Sequence, residues 1–167
     1  MERIVIVGCS GAGKSRLATD LSRRTAIPAV HLDLLFWRPG WKRAPQDEVV
    51  RELEDAIARD RWIVEGDFLN AGDHRFAHAD AVVFLDRSRR TCAWRVLKRA
   101  VLERRRSRVD LPAGCEEGVD QQLLKWIWQD PRTSRPRIVA LLAELRDRVE
   151  VHHLRSDDDV NRFLRSL

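Results

Sequence analysis

Apolar residues in this chain gather in short runs bounded by polar or turn-forming residues, the first being Ile4-Val5-Ile6-Val7. Runs of this kind predict strands at about 2–7, 29–32, 62–65, 81–85 and 149–154. Between them the apolar positions recur at helical spacing, which predicts helices over about 14–24, 46–60, 88–107, 118–129, 136–147 and 157–166. Ala44-Pro45 is a start signal for the second helix, and Asp130-Pro131 ends the fourth. Strands alternating with helices imply the α/β class, a parallel sheet flanked by helices in a single domain. The charged stretch from about 104 to 118, which holds Pro112 and Gly114, reads as a flap between helices rather than a domain boundary.

Immediately after the first apolar run, Gly8 to Ser15 spell Gly-Cys-Ser-Gly-Ala-Gly-Lys-Ser, a complete G-x-x-x-x-G-K-S signature. Between a strand and a helix, this signature is that of a phosphate-binding loop. Triphosphate oxygens are met by backbone N–H groups, and bulky side chains would hold the backbone away. Gly8, Gly11 and Gly13 remove that obstruction, and Ala12 is the small residue between the last two. Lys14 brings a mobile positive charge for the β- and γ-phosphates of ATP, and Ser15 offers a hydroxyl to Mg²⁺. The helix that follows points its positive dipole end at the anion. Cys9 reads as a small filler rather than a redox centre.

With 167 residues the chain is long enough to bury a core without staples. Its three cysteines, Cys9, Cys92 and Cys115, form no C-x-x-C pair and point to neither a zinc site nor a disulfide framework. No basic segment followed by an apolar stretch precedes the first strand, so a cytoplasmic protein without a membrane span is expected. The net charge of +5 is unevenly spread, with arginine dominating the stretch from Arg87 to Arg108. Such a block favours a polyphosphate or phosphodiester ligand, while its outermost members, Arg89 and Arg90, read as a solvated face.

In open α/β sheets ligands lie beyond the carboxyl ends of the strands. There stand His31 and Asp33 after the second strand, Glu65-Gly66-Asp67 after the third, Asp86 after the fourth and Arg155-Ser156 after the fifth. Glu65 is the candidate Mg²⁺ partner together with Ser15. Asp33 is a base, a Mg²⁺ partner or a contact to a substrate sugar, whereas His31 suits strand packing or support of a neighbour. Arg95 and Arg99 share one helix face, suited to a nucleobase and a phosphate. Arg104, Arg105, Arg106 and Arg108 on the flap, and Arg135 at the head of a later helix, are candidates to neutralise a transferring phosphoryl group. Phe36, Trp37, Arg38 and Trp41 put aromatic faces beside positive charge, a composition that suits a nucleotide-like acceptor. At least one of these aromatics is expected to close the core instead. Trp126 and Trp128 cannot face the same side of a helix, so one is expected at the substrate cleft and the other in packing.

Together these residues resemble the small P-loop kinases of the adenylate kinase and shikimate kinase type. His31-Leu32-Asp33, Phe36-Trp37-Arg38-Pro39-Gly40-Trp41, Trp62-Ile63-Val64-Glu65-Gly66-Asp67, Gly114-Cys115 and Leu124-Lys125-Trp126-Ile127-Trp128 are similar to segments of the bacterial topology modulation proteins, an adenylate-kinase-like family. The resemblance implies a P-loop NTPase fold with strand order 2-3-1-4-5, a short lid near 104–118 and an acceptor-binding segment near 33–60. It implies that Glu65 and Gly66 serve Mg²⁺ and acceptor, and that Arg95 and Arg99 bind nucleotide. Gly66-Asp67-Phe68 stands where adenylate kinases carry Gly-Phe-Pro-Arg, and Arg75 is the candidate to supply the acceptor arginine. The expected activity is transfer of the ATP γ-phosphate to a nucleotide-like acceptor. A small-molecule or nucleoside hydroxyl is the alternative acceptor, with Asp33 as base. An ATP-dependent regulator acting on DNA is the reading from another class, but no DNA-reading module is present, so direct nucleic-acid binding is not favoured. A monomer or weak dimer is expected.

Overall fold

The computed structural model describes residues 1–67, 74–102, 112–115 and 120–167. Strands β1 (Arg3–Gly8), β2 (Ala29–His31), β5 (Trp62–Glu65), β6 (Ala81–Leu85) and β7 (Glu150–Leu154) form a five-stranded sheet in the order β2-β5-β1-β6-β7. Every pairing in it is parallel. Counted among these strands alone the order is 2-3-1-4-5, as expected. Val5 lies level with Val64 on one side and Val82 on the other, so β1 is the central strand.

Both faces of the three inner strands β5, β1 and β6 are buried, which is why they read as continuous apolar runs, whereas the edge strands β2 and β7 are only partly covered. Alternate residues feed separate cores, because side chains along a strand point to opposite faces. Ile4, Ile6, Ile63 and Val83 pack with Leu17 and Leu21 of α1 (Lys14–Thr25), Val96 of α5 (Arg89–Leu102) and Phe163 of α8 (Asp157–Arg165). Val5, Val7, Val64, Val82 and Phe84 pack with Leu53 of α3 (Gln46–Ile57) and with Ile138 and Leu142 of α7 (Ser134–Leu145). Each fully buried Val, Ile, Leu or Phe contributes about 1.5–3 kcal/mol, so the sheet is a rigid platform for whatever its loops carry.

Two helices depart from their expected bounds for visible reasons. α3 ends at Ile57 rather than near 60, and the Ile57 carbonyl accepts the indole N–H of Trp62 at 3.1 Å. α7 begins at Ser134, which leaves Pro136 in the first turn, where its missing N–H has no helical partner to lose. Within the acceptor segment the chain forms a short helix α2 (Leu32–Phe36) and then a hairpin of β3 (Trp37–Arg38) and β4 (Lys42–Arg43). Two-residue strands are too short to leave a periodic signal. The hairpin turn puts Gly40 at φ 76° and Trp41 at φ 59°, both left-handed. A four-residue helix, α4 (Arg75–His78), precedes β6, and α6 (Gln121–Gln129) leads into a 3₁₀ turn, Asp130–Arg132. Asp120 caps α6 by accepting the Gln122 N–H at 2.8 Å.

Of the expected flap, Arg104, Arg105, Arg106 and Arg108 lie outside the described residues. Residues 112–115 are described and dock on the hairpin. The Gly40 N–H donates to the Gly114 carbonyl at 3.1 Å, and the Cys115 thiol to the Arg38 carbonyl at 3.4 Å. Among the described residues no helix is long and apolar enough to cross a membrane.

Candidate functional site

β1 runs into the Gly8–Ser15 loop and α1 starts at Lys14, with Gly13 as its N-cap. Two of the glycines are demanded by their surroundings. A Cβ on Gly8 would stand 2.6 Å from the Leu85 carbonyl oxygen, and one on Gly11 would stand 2.5 Å from that of Cys92. Both also have positive φ, 147° and 84°. The loop is therefore wedged against β6 and α5 with its backbone at the carboxyl end of the sheet.

Inside this loop the Lys14 ammonium donates to the Gly8 carbonyl at 2.6 Å, to the Asp67 carboxylate at 3.0 Å and to the Cys9 carbonyl at 3.4 Å. Burial alone would lower its proton affinity, but the charges of Asp67, Glu65 and Asp33 outweigh it and hold its pKa above the usual lysine range. Asp67 also accepts the Gly8 N–H at 2.9 Å.

Ser15 and Glu65, the two candidate Mg²⁺ partners, are brought into contact. The Ser15 hydroxyl donates to Glu65 Oε1 at 3.0 Å, and His31 Nδ1 lies 2.8 Å from the same oxygen. Glu65 is only 2% exposed, fixed by the β1–β5 register that sets it beside Ile6. His31 thus orients a carboxylate. A hydroxyl and a carboxylate are hard oxygen donors of the kind magnesium takes, so these two residues fit a Mg²⁺ that also bears phosphate oxygens. Among the described residues no group of three or more His, Cys, Asp or Glu side chains could hold a metal without such help.

Arg95 reaches the loop and donates to the Ala12 carbonyl at 3.1 Å. Its other end is held by Asp157 at 2.9 Å, which also takes Arg87 at 2.7 Å. Arg99, one turn on, is half-buried on α5. Cys9 and Cys92 are both buried, and the interaction of the two thiols raises the pKa of Cys9 and lowers that of Cys92.

Other candidates are placed differently from a bare substrate cleft. Arg75 is fully buried and donates to the Gly66 carbonyl at 3.0 Å, so it shapes the turn after β5. Arg135 makes two bonds to Asp86, at 2.8 and 2.9 Å, and His153 Nε2 lies 2.7 Å from the same carboxylate. Burial would push Asp86 up, but those partners hold it below the usual carboxylate range. Asp33 is exposed on α2. Phe36 packs on the core, as expected of one aromatic there, while Trp37 and Trp41 meet edge to face with centroids 5.4 Å apart. Arg38 donates to Glu48 and Glu52 on α3 at 3.1 and 3.2 Å.

The expectation that either Trp126 or Trp128 packs is corrected. Trp126 is 66% exposed and Trp128 52%, and Ile127 between them turns inward at 1%. A helix turns about 100° per residue, so residues flanking an inward position both diverge from the core. Trp128 instead lies under the Arg89 guanidinium, 4.1 Å from its ring centroid.

Sequence reasoning gave no role to Asp67, Asp130 or Asp157. Asp130 is pushed up to about 6 by burial first and by the Asp67 charge next, with Asp86 adding to this and Lys14 and Arg135 opposing. Its place before Pro131 marked a helix end and masked a charge in the field of the loop. A cavity of about 440 Å³ bordered by Arg3, Glu54, His74 and His78 lies at the opposite, amino-terminal edge of the sheet and holds no residue of the loop.

No protein-family profile matches the chain. Over 88 residues it is 33% identical to the uncharacterized protein YqaC of Bacillus subtilis (strain 168), a match covering 50% of this chain and 48% of that protein. The chain thus spans about half the length of the curated relative it matches.

Proposed function

We propose that the protein is a small P-loop kinase that binds Mg·ATP on the Gly8–Ser15 loop and transfers the γ-phosphate to a nucleotide-like acceptor. The observation that carries this reading is the Ser15–Glu65 contact at 3.0 Å beside a glycine-dependent loop whose lysine sits at its centre. Backbone N–H groups and the start of α1 would hold the phosphates, and Lys14 would meet the β- and γ-oxygens. Magnesium, when bound, would neutralise charge on those oxygens. Ser15 and Glu65 would hold it, with His31 keeping Glu65 in place. Arg95 lies against the Ala12 carbonyl, where a guanidinium can stabilise charge developing at the loop. The strand order and the W-x-P-G-W and K-W-I-W segments support kinship with adenylate-kinase-like topology modulation proteins.

The acceptor would lie between the hairpin and the Gly66 turn, where Trp37 and Trp41 offer ring faces and edges. A second reading, a hydroxyl acceptor, is favoured by one observation: Asp33 is exposed on α2 yet within the electrostatic reach of Lys14. The test is Mg·ATP turnover against nucleoside monophosphates, nucleosides, hydroxy acids and 5′-hydroxyl oligonucleotides, with Lys14→Ala as the blank. A Lys14-dependent phosphorylated product is expected. ATP binding without transfer to any acceptor would overturn the kinase reading in favour of an ATP-dependent regulator. Loss of turnover in Asp33→Asn would assign the hydroxyl class.

A further inference from the structure

The Lys14 ammonium has three protons, and the chain itself supplies three acceptors: the Gly8 carbonyl at 2.6 Å, Asp67 Oδ2 at 3.0 Å and the Cys9 carbonyl at 3.4 Å. Two of these are loop carbonyls, and the third is a full negative charge. Asp67 is held there by its other oxygen, since Oδ1 accepts the Gly8 N–H at 2.9 Å. One residue earlier, the Gly66 N–H donates to the Ile6 carbonyl at 3.1 Å. The carboxylate therefore extends the β1–β5 ladder by one rung and delivers a charge to the lysine at a position fixed by the sheet. The side chains of Lys14 and Asp67 are 12% and 29% exposed, so water screens the pair only in part.

An anion entering the loop needs the same ammonium. We infer that Asp67 is the internal counter-ion of the loop, a competitor for Lys14 that an incoming phosphate must displace, and that it thereby sets the affinity and charge selectivity of the site for polyphosphate. The inference rests on the phosphate-binding reading of the loop and adds to it the residue that opposes binding. Once displaced, the Asp67 carboxylate faces the phosphate oxygens with Glu65 and Asp33 in the same field. Polyphosphate carrying a divalent cation is then accepted more readily than the bare anion.

Asp67→Asn separates the two jobs of this side chain, because the amide oxygen can still accept the Gly8 N–H while the charge is gone. The probe is inorganic pyrophosphate, titrated calorimetrically into the full chain in chelator and in excess magnesium. Asp67→Asn is expected to bind metal-free pyrophosphate about tenfold more tightly than the wild type, with a smaller gain in magnesium, and Lys14→Ala to bind neither form. Equal or weaker binding by Asp67→Asn, with the wild type binding in a Lys14-dependent way, overturns the counter-ion role and leaves the loop reading intact. Wild-type binding that Lys14→Ala does not change overturns both. A crystal structure of the wild type with pyrophosphate gives a check that needs no variant: Lys14 Nζ and Asp67 are expected more than about 4 Å apart, the limit of an ion pair, and an unbroken pair beside bound phosphate overturns the inference.

Discussion

At the loop end of β1 the Lys14 ammonium pairs with Asp67 and lies in the field of Glu65 and Asp33, whereas at the β6–β7 edge two carboxylates are each held by two basic side chains. Asp86 holds Arg135 and His153, and Asp157 holds Arg87 and Arg95. Both regions stand at carboxyl ends of neighbouring strands, yet their charge balance is opposite. The β6–β7 edge is satisfied by its own chain. Among the described residues the Lys14 ammonium faces the three carboxylates of Asp67, Glu65 and Asp33, the condition in which a bound cation or cation-bearing ligand adds most.

The sharpest way to break this contrast is Glu65→Gln, which keeps the contacts to Ser15 and His31 while removing the charge. Mg·ATP turnover is expected to fall on the order of 100-fold, with metal-free ATP binding not weakened, since a carboxylate facing the phosphates is removed. Equal loss of metal-free binding would place Glu65 in loop packing alone. On the balanced side, Arg135→Ala leaves Asp86 with His153 and is expected to lower unfolding stability by about 1 kcal/mol at neutral pH. Asp86 is held below its usual range, so its contribution is present above about pH 4 and lost as pH falls through the lower folded value. Urea titrations at pH 7 and pH 3 should therefore show the Arg135→Ala deficit shrinking in acid.

Asp130 sharpens the comparison from the opposite sign. Its pKa of about 6 lies above the ordinary value, so the folded state holds a proton the unfolded state has lost, and stability falls as pH rises from about 4 to 6. Because the group is partly exposed, Asp130→Asn is expected to gain only about 1 kcal/mol at pH 7 and almost nothing at pH 4. The smallest stability effect is expected at Trp126, 66% exposed on α6. Trp126→Ala should change unfolding stability by less than about 0.5 kcal/mol, so any rise in acceptor KM in that variant reports contact with substrate.

What the sequence made legible follows from burial. The inner strands β5, β1 and β6 stood out because both their faces are covered, and the strand order was expected from the resemblance carried by the motifs. Ser15 and Glu65 were each singled out, by the loop signature and by a strand-terminal acid, and the structure puts them 3.0 Å apart. The hairpin at 37–43 was hidden because its strands are two residues long and its register depends on a left-handed Gly40-Trp41 turn. Arg75 and Arg135 read as available cations, but the partners that engage them, the Gly66 carbonyl and Asp86, are set by tertiary packing. Asp67 was visible as an acid and silent as to role, because only the β1–β5 register brings it to the Gly8 N–H.

The most direct measurement is a calorimetric titration of wild type and Lys14→Ala with a non-hydrolysable Mg·ATP analogue. Saturable one-to-one binding in the wild type and its loss in Lys14→Ala is the predicted result. Absence of binding in the wild type, or equal binding by both proteins, would contradict the assignment of the Gly8–Ser15 loop as the nucleotide site.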